Sequence, residues 1–334
     1  MITESELDGI LREVRPTATV TETTPLDRGN RKQTTIVRFA DAAPVVVQRS
    51  ADRDAIRTEA RLLDAIADRT SIPVARPLAT GANGWLVTPF VVGTDLHEQF
   101  TDLASADRQR IVEQFGRSLA QLHEAFEFEA YGPVVAGRNG IQTGQANGGR
   151  IAGGIELVPN GGDPPAPTAD WPEWLRTVGE AAIGRLPSEF DDLRPKLRAA
   201  VAEGTDSSPT PRLFPWDFRP GNALLDGGEL AAIVDWEGPL AADPALSYAK
   251  AEYLVADWYV SREQARELRS VFRRGYESIR DPPAIEPAHR VAAIASTAVD
   301  SRGVVTNPRY PPVDREPAIE FHRESLRRAL SESS

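Results

Sequence analysis

The sequence predicts an α+β protein with two lobes, a small β-rich N-terminal lobe with one long helix and a larger, mainly helical C-terminal lobe. Runs of β-branched residues at 34–39 and 44–48 precede an amphipathic helical pattern at 52–69, whereas helical patterns dominate further along the chain. The length of 334 residues and the apolar content of 41% suit two lobes that share a cleft. We place the lobes at residues 1–93 and 94–334.

The N-terminal lobe contains several predicted strands. Residues 34–39 and 44–48 are clearly β-rich, and residues 17–21 are a weaker candidate. Residues 27–30, Asp-Arg-Gly-Asn, are predicted to form the turn that precedes the first of the two clear strands. Residues 84–93 are predicted to form the last strand of this lobe and the connection to the next.

The predicted helix 52–69 carries a charged residue on its apolar face. Ser50 or Asp52 can cap its N-terminus. Glu59 falls at helical spacing within an apolar stripe, which consists of Ile56, Leu63 and Ile66. A carboxylate on an apolar face is costly unless it is paired, so Glu59 predicts a cationic partner. The alternative is a salt bridge at the rim of the lobe.

The C-terminal lobe is predicted to consist of a series of helices with one long insertion. The predicted helices are residues 107–126, 171–186, 191–203, 243–259, 262–279, 287–299 and 316–330. Residues 136–169 are rich in Gly, Asn and Pro and are too long for an ordinary connection inside a compact domain. They are predicted to form either a flap or a surface loop.

Composition restricts the compartment and the partners. The chain has no Cys, which excludes disulfides, thiolate metal sites and a Cys nucleophile. Its formal net charge of −11 argues against non-specific binding of nucleic acid. There is no apolar run of about 18 residues and no basic N-terminal region. We therefore expect neither a membrane span nor a secretion signal, and a cytoplasmic protein.

Three polar residues of the C-terminal lobe have the spacing of a phosphoryl-transfer site. Asn222 follows Asp217 by five positions, and Asp235 follows Asn222 by thirteen. Phosphoryl transfer needs a carboxylate that orients the attacking hydroxyl and receives its proton, and it needs oxygen ligands for Mg²⁺. Asp217 fits the first role, and Asn222 and Asp235 fit the second.

The segment between the two candidate ligands is predicted to form a β-hairpin. Short apolar runs at 222–226 and 230–235 flank a Gly-Gly pair, which can take positive φ and turn the chain. An antiparallel return would bring both ligands to the same end of the hairpin. The alternative is that these polar residues are only turn formers and a helix cap.

Three short motifs surround these residues: Asp-Phe-Arg-Pro-Gly-Asn at 217–222, Ile-Val-Asp-Trp-Glu at 233–237 and Ala-Asp-Pro-Ala at 242–245. Together with a helical segment that ends in Leu-His at 116–123, they resemble the aminoglycoside phosphotransferase and choline kinase-like family. The resemblance extends over most of the chain. It implies the two-lobed protein-kinase-like fold, ATP and Mg²⁺ as cofactors, and transfer of the γ-phosphate to a hydroxyl.

The sequence also departs from the family pattern. Pro215 and Trp216 stand where the family usually has His-Gly, so packing of Trp216 is expected to hold the loop. Ser247 stands where the family often has a second Asp, and Asp243 is expected to cap the next helix or to tie down the loop. The most serious departure concerns the Lys that binds phosphates in this family.

The strand expected to carry that Lys has none. Residues 45–50 are Val-Val-Val-Gln-Arg-Ser, so the resemblance places Gln48 or Arg49 at the Lys position. Side chains alternate along a strand, so only one of the two can point into the cleft. Arg49 could supply the cation for both the phosphates and Glu59, and it is the preferred assignment. An inward Gln48 would instead favour a degenerate kinase.

The resemblance implies further contacts with the nucleotide. Gly29 lies in the predicted turn that could cover the phosphates, although an ordinary hairpin turn explains it equally well. The strand within 84–93 would offer backbone groups to adenine. Since Pro89 lacks an N–H group, the donor would be Phe90 or Val91.

Two functions are compatible with the sequence. The first is an ATP-dependent kinase for a small acceptor of the aminosugar, amino-alcohol or sugar type. Glu237, Glu252 and Asp257 are expected near the acceptor, where carboxylates would suit a cationic molecule, although in an acidic protein they could also be solvated surface. The second is a non-catalytic nucleotide-binding or regulatory protein on the same fold. The missing strand Lys and the replacement of His-Gly by Pro215 and Trp216 favour the second function. The complete set of base and metal ligands favours the first.

Overall fold

The computed structural model describes residues 2–26, 32–136, 155–157, 168, 170–204, 209–300 and 302–331. Its N-terminal part is a five-stranded antiparallel sheet with a helix on each face. The strands are β1 (Val20–Leu26), β2 (Gln33–Phe39), β3 (Val45–Arg49), β4 (Ala79–Gly81) and β5 (Trp85–Pro89), in the order β1-β2-β3-β5-β4. The helices are α1 (Glu4–Val14) and α2 (Arg53–Arg69).

The remainder of the described chain is mainly helical. Its α-helices are α3 (Leu96–Gln99), α4 (Ser105–Ala125), α5 (Trp171–Arg185), α6 (Arg194–Glu203), α7 (Pro244–Glu252), α8 (Arg262–Glu277), α9 (Pro287–Ala298) and α10 (Arg315–Ser331). One small sheet contains β6 (Thr94–Asp95), β10 (Ala223–Asp226) and β11 (Glu229–Ile233). Another contains β7 (Gly132–Ala136), β8 (Ile155–Leu157), β9 (Arg212–Phe214) and β12 (Leu240–Ala242).

The predicted two-lobed α+β fold is confirmed, and the predicted helices lie within a few residues of the observed ones. The helix predicted at 243–259 differs, because α7 ends at Glu252 and the chain continues as a π-helical turn over Tyr253–Asp257. Part of the predicted insertion is a strand, since β8 pairs with β7. Residues 137–154 and 158–167 lie outside the described chain. None of the described helices combines the length and apolarity that a bilayer-spanning segment needs.

Helix α1 was not predicted, and it covers one face of the N-terminal sheet. Thr3 and Glu6 form a capping box at its N-terminus, with Thr3 N donating to the Glu6 carboxylate at 3.0 Å. Its buried residues pack on one face of the sheet together with Val45 and Val47. Because side chains alternate along a strand, β3 must present Val46 and Gln48 to the opposite face.

Helix α2 covers that opposite face. Asp52 caps the helix by accepting a hydrogen bond from Ala55 N at 2.9 Å. Of the two predicted capping residues, Asp52 is therefore the one observed. The predicted apolar stripe is buried, and it packs with Leu86 of β5: Ile56, Leu63 and Ile66. Glu59 lies within this stripe and is only 3% exposed.

The predicted hairpin is present, with a register shift between Leu224 and Leu225. Strands β10 and β11 pair antiparallel, with Ala223 opposite Ile233 and Asp226 opposite Glu229. Gly227 and Gly228 form the two-residue turn with φ of 57° and 85°. Two consecutive positive φ angles are typical of the tight hairpin turns that favour Gly.

Helices α4 and α8 pack at a distance that only Gly permits. A Cβ at Gly116 of α4 would overlap the carbonyl oxygen of Phe272, and a Cβ at Gly275 of α8 would overlap that of Glu113. Both obstacles are backbone atoms, which a side-chain rotation cannot move. The two helices therefore approach with their backbones almost in contact.

We expect Gly116→Ala to lower the free energy of unfolding by about 1–3 kcal/mol, because the added methyl group overpacks this contact. Gly184→Ala is the matched control, since a Cβ added to this residue of α5 would meet no atom of a neighbouring element within 4 Å. That control should be neutral or stabilising by up to about 1 kcal/mol, because Ala favours a helix over Gly. Urea unfolding of both variants would measure the difference, and equal effects would contradict the close approach.

Candidate active site

Asn222 organises the loop that contains Asp217. Its side-chain amide donates to the backbone carbonyl of Asp217 at 2.8 Å and to Asp217 Oδ2 at 3.2 Å. Arg219 Nε lies 3.0 Å from Asp217 Oδ1. Asn222 is buried, whereas the Asp217 side chain is 37% exposed. The loop thus fixes the Asp217 carboxylate from two sides and leaves it accessible.

The hairpin brings Asp235 beside Asn222. Val234 N donates to Asn222 O at 2.8 Å, and Asp235 is the next residue. Asp235 has φ of 61°, which is the left-handed region, and Asp tolerates this region better than most residues do. The two predicted metal ligands therefore lie at the same end of the hairpin.

Lys32 is the cation that pairs with Glu59. Lys32 Nζ lies 3.0 Å from both Glu59 oxygens and 2.9 Å from Asp235 Oδ1. The Lys32 side chain is 9% exposed and that of Glu59 is 4% exposed. One buried ammonium thus joins β2, α2 and the end of the hairpin.

Burial and charge act against each other in this cluster. Burial by itself lowers the pKa of Lys32, but the nearby carboxylates of Glu59, Asp235 and Glu237 outweigh it and raise that pKa overall. Burial also raises the pKa of Glu59, and Lys32 only partly opposes this effect. Lys32 is therefore charged at neutral pH, and Glu59 depends on Lys32 for its ionised form.

The predicted pairing of Arg49 with Glu59 is wrong. Arg49 Nη2 pairs with Glu6 Oε1 of α1 at 3.0 Å, and both side chains are more than one-third exposed, at 37% and 39%. Side chains alternate along β3 as expected, but Arg49 lies on the face covered by α1 and Gln48 lies on the opposite face, which is the reverse of the prediction. Three consecutive Val residues give no sign of which face is covered, and the unpredicted helix α1 takes the face of Arg49.

Gln48 lies on the same face of β3 as Val46, and the charge comes from the residue that precedes the neighbouring strand β2. Gln48 is opposite Thr34 in the β2–β3 register, and Lys32 precedes Thr34 by two residues. Lys32 therefore continues the same face of β2. The sequence did contain one signal for it: Lys32 is one of only three lysines, the others being Lys196 and Lys250.

The remaining residues predicted to contact the nucleotide are Phe90, Val91 and Gly29. Phe90 N donates to Pro44 O at 3.1 Å, because pairing between β3 and β5 continues past Pro89, so its N–H is already used. Val91 stays a prediction as the donor to adenine. Gly29 lies outside the described residues.

Trp216 packs beside the loop, as expected from the sequence. The ring centroid of Trp216 lies 5.5 Å from that of Phe214, and Lys250 Nζ lies 3.3 Å from the Trp216 centroid. Asp243 caps α7 by accepting from Ala245 N at 2.7 Å, which is one of its two predicted roles.

His123 is a buried structural residue behind this loop. Its Nδ1 lies 2.7 Å from the Tyr276 hydroxyl, and its Nε2 lies 3.0 Å from the hydroxyl of Ser247. Burial lowers the pKa of His123 well below its usual range, and Arg280 and Arg212 add to the effect. The ring is therefore neutral, and Ser247 is its hydrogen-bond partner at the position where the resemblance expected Asp.

The expectation that Glu252 and Asp257 face the acceptor is wrong. Glu252 Oε2 lies 2.8 Å from Arg290 Nη1, and Asp257 pairs with Arg269 at 2.6 Å and Arg328 at 2.7 Å. Both carboxylates are buried in these ion pairs. Sequence position alone could not show the three arginines, which come from α8, α9 and α10. Two of the three carboxylates that suggested a cationic acceptor are therefore neutralised by arginines.

Asn222 and Asp235 fit a hard cation such as Mg²⁺. The Asn222 amide nitrogen is used by Asp217, so its Oδ1 is the atom that can act as a ligand. The Asp235 carboxylate lies beside the ammonium of Lys32, and its side chain is 42% exposed. An amide oxygen and a carboxylate oxygen are ligands that Mg²⁺ prefers.

Comparison with known families agrees with this geometry. A family model described as the phosphotransferase enzyme family matches residues 22–288, which is most of the chain. The chain belongs to the phosphotransferase enzyme family. A search of curated proteins found no significant match to this sequence.

Solved structures of similar fold include other phosphotransferases and kinases. A thermostable mutant of aminoglycoside phosphotransferase APH(4)-Ia, in ternary complex with ADP and hygromycin B, has a TM-score of 0.57 at 11% identity over 97% of this chain and 95% of that one. A putative fructosamine-3-kinase from Thermobifida fusca has a TM-score of 0.57 at 18% identity, covering 97% and 100%. Macrolide 2′-phosphotransferase MphH from Brachybacterium faecium has a TM-score of 0.54 at 16% identity, covering 98% and 99%. At these identities the similarity establishes the protein-kinase-like fold of this phosphotransferase-family chain.

We expect Lys32→Met to lower the free energy of unfolding by about 3–5 kcal/mol, because it leaves the buried carboxylate of Glu59 without a cation. The double variant Lys32→Met/Glu59→Met should recover most of this loss, since it removes both charges. Arg49→Met is the control, because its exposed ion pair contributes at most about 1 kcal/mol. Urea denaturation would measure all three, and a Lys32→Met effect as small as that of Arg49→Met would contradict the assignment.

Proposed function

We propose that this protein is an ATP-dependent kinase that transfers the γ-phosphate to a hydroxyl group of a small molecule. The observation that carries the proposal is the cluster in which one buried ammonium, Lys32, contacts both Glu59 and Asp235. Phosphotransferases of the kinase-like fold need such a cation next to the metal ligands. Membership of the phosphotransferase enzyme family supports the reaction class.

We propose that Lys32 binds the nucleotide phosphates. Its raised pKa keeps it protonated, and its two carboxylate partners fix the position of its ammonium. A fixed charge costs little reorganisation when the phosphates arrive. Mg²⁺ held by Asn222 and Asp235 would, when bound, neutralise charge on the phosphates. The proposed division is a nucleotide-binding lobe of residues 1–93 and a catalytic and acceptor-binding lobe of residues 94–334.

Asp217 is the proposed base, and the acceptor is proposed to bind in the cavity that it borders. This cavity has a volume of about 520 Å³, and its wall includes Trp216, Asp217, Arg219 and Lys250. Small-molecule sites usually have volumes of roughly 300–1,000 Å³. Asn222 and Arg219 hold the carboxylate in place, so a hydroxyl seated there would donate to it and pass it the proton as phosphate transfer proceeds.

The alternative, a nucleotide-binding protein without catalysis, was favoured mainly by the lack of a cation on β3. Lys32, which immediately precedes the adjacent strand β2, provides that cation and contacts the expected carboxylate. Asn222 and Asp235 would serve nucleotide binding as well, but a positioned proton acceptor such as Asp217 has a chemical role only where phosphate is transferred. The kinase is therefore the preferred proposal.

We expect Asp217→Asn to lower the rate of ADP release with the best acceptor of a hydroxyl-compound panel by roughly 10²–10⁴-fold, because it removes the proton acceptor. Binding of ATP should change little, since Asp217 is neither a proposed metal ligand nor a proposed nucleotide contact. Asp226→Asn, at the exposed tip of the hairpin, is the matched control and should keep full activity. Unchanged turnover in Asp217→Asn would contradict the proposed base.

A further inference from the structure

Lys250 is a buried cation in the wall of the cavity next to Asp217. It belongs to α7 and is 3% exposed. Its Nζ lies 3.3 Å from the hydroxyl oxygen of Ser296 and 3.3 Å from the ring centroid of Trp216. Both partners are neutral, and within the described ranges no carboxylate lies at ion-pair distance from this ammonium. The cation is thus buried with no counter-charge of its own among these residues.

The acidic groups of the cavity wall are already engaged elsewhere. Asp217 pairs with Arg219 at 3.0 Å. Asp300 pairs with Arg302 at 3.1 Å and also accepts hydrogen bonds from the backbone amides of Arg302 and Val304. Arg185 adds a third basic residue to the wall. With Arg219 balanced by Asp217, Lys250 is a basic group of this wall that has no carboxylate at ion-pair distance among the described residues.

An isolated ammonium inside a protein is costly unless an anion accompanies it. Contact with the face of Trp216 offsets part of this cost. A bound anion would offset more, because a charge-assisted hydrogen bond is roughly twice as strong as a neutral one. The cavity that Lys250 lines is where such an anion can enter.

The titration of Lys250 agrees with this geometry. Burial lowers the pKa of Lys250 to about 7, Asp217 partly opposes this, and Arg185 and Arg219 lower it further. All the neighbouring charges that act on Lys250 are therefore either basic or engaged. An anion in the cavity would favour the protonated form of Lys250.

We propose that the acceptor carries an anionic group, a carboxylate or a phosphate, which binds to Lys250 while a hydroxyl of the same molecule lies at Asp217. This proposal rests on the proposed function in taking the cavity as the acceptor site. It replaces the cationic acceptor that the sequence suggested, since Glu252 and Asp257 are paired with arginines away from this cavity.

Inorganic sulfate tests the anion site without any assumption about the carbon skeleton of the acceptor. The melting temperature is measured against sulfate concentration at constant ionic strength, with saturating ADP and Mg²⁺ to occupy the nucleotide site.

The variants are Lys250→Met, Lys250→Arg and the control Lys196→Met, whose Lys is exposed on α6. We expect the half-saturating sulfate concentration to rise at least about tenfold in Lys250→Met, which is the loss of one charge-assisted hydrogen bond. Lys250→Arg and Lys196→Met should keep the response of the natural protein.

Two results of this measurement would overturn the proposal. The first is a sulfate response in Lys250→Met equal to that of the natural protein. The second is a marked fall in the melting temperature of Lys250→Met without sulfate, which would show that the charge serves the fold itself. Removal of an unpaired buried charge should instead leave this temperature unchanged or raise it.

A matched series of polyols tests the reaction itself. Gluconate, sorbitol and glucamine share a six-carbon polyol chain and differ in the charge at one end, and ADP release from ATP is measured with each. Preferred turnover of gluconate, lost in Lys250→Met, supports the anionic acceptor, whereas preferred turnover of glucamine overturns it. If a sulfate response that depends on Lys250 is accompanied by no transfer to any hydroxyl compound, the proposed kinase function fails and the anion site stands.

Discussion

The ion-paired ammonium of Lys32 is the interaction on which the arrangement of this site depends. Its three hydrogen bonds reach two carboxylates from elements that are far apart in sequence, α2 and the end of the β10–β11 hairpin. Glu59 lies inside the apolar stripe of α2, so its charge is acceptable only where a cation meets it. The ammonium of Lys32, which stabilises the ionised form of Glu59, therefore also fixes Asp235 relative to the N-terminal sheet.

The second half of the site is held by a different kind of contact. Asn222 ties its own loop to Asp217 through its side chain and joins the hairpin through its backbone. Asn222, one of the two proposed metal ligands, thus links the proposed base Asp217 to the hairpin end that carries the other ligand, Asp235. Lys250 Nζ lies over the ring of Trp216 and near the hydroxyl of Ser296, which places a basic group in the cavity without a direct ion pair to Asp217.

Local sequence patterns predicted the parts of the site that depend on local structure. The Gly-Gly pair predicted the turn of the hairpin, and helical spacing placed Glu59 on the buried face of α2. The spacing of Asp217 and Asn222 is that of one short loop, so their contact needed no knowledge of the tertiary structure. These interactions span few residues, and turn chemistry or periodicity determines them.

The parts that failed depend on contacts between distant segments. Whether Gln48 or Arg49 faces the cleft depends on which side of β3 is covered by α1, and three identical Val residues carry no information about that. The role of Lys32 depends on the register between β2 and β3, and the partners of Glu252 and Asp257 come from other helices. Such pairings follow from tertiary packing, which a single sequence does not display.

The dissociation constant of Mg²⁺–ATP tests the central claim most directly, because it needs no acceptor. It would be measured for the natural protein, Lys32→Gln and Arg49→Gln, at a temperature at which all three are folded. The account predicts that Lys32→Gln raises this constant by at least about tenfold, as expected for loss of a charge-assisted hydrogen bond to phosphate, and that Arg49→Gln changes it by less than about twofold. A large increase in Arg49→Gln together with an unchanged constant in Lys32→Gln would contradict the account.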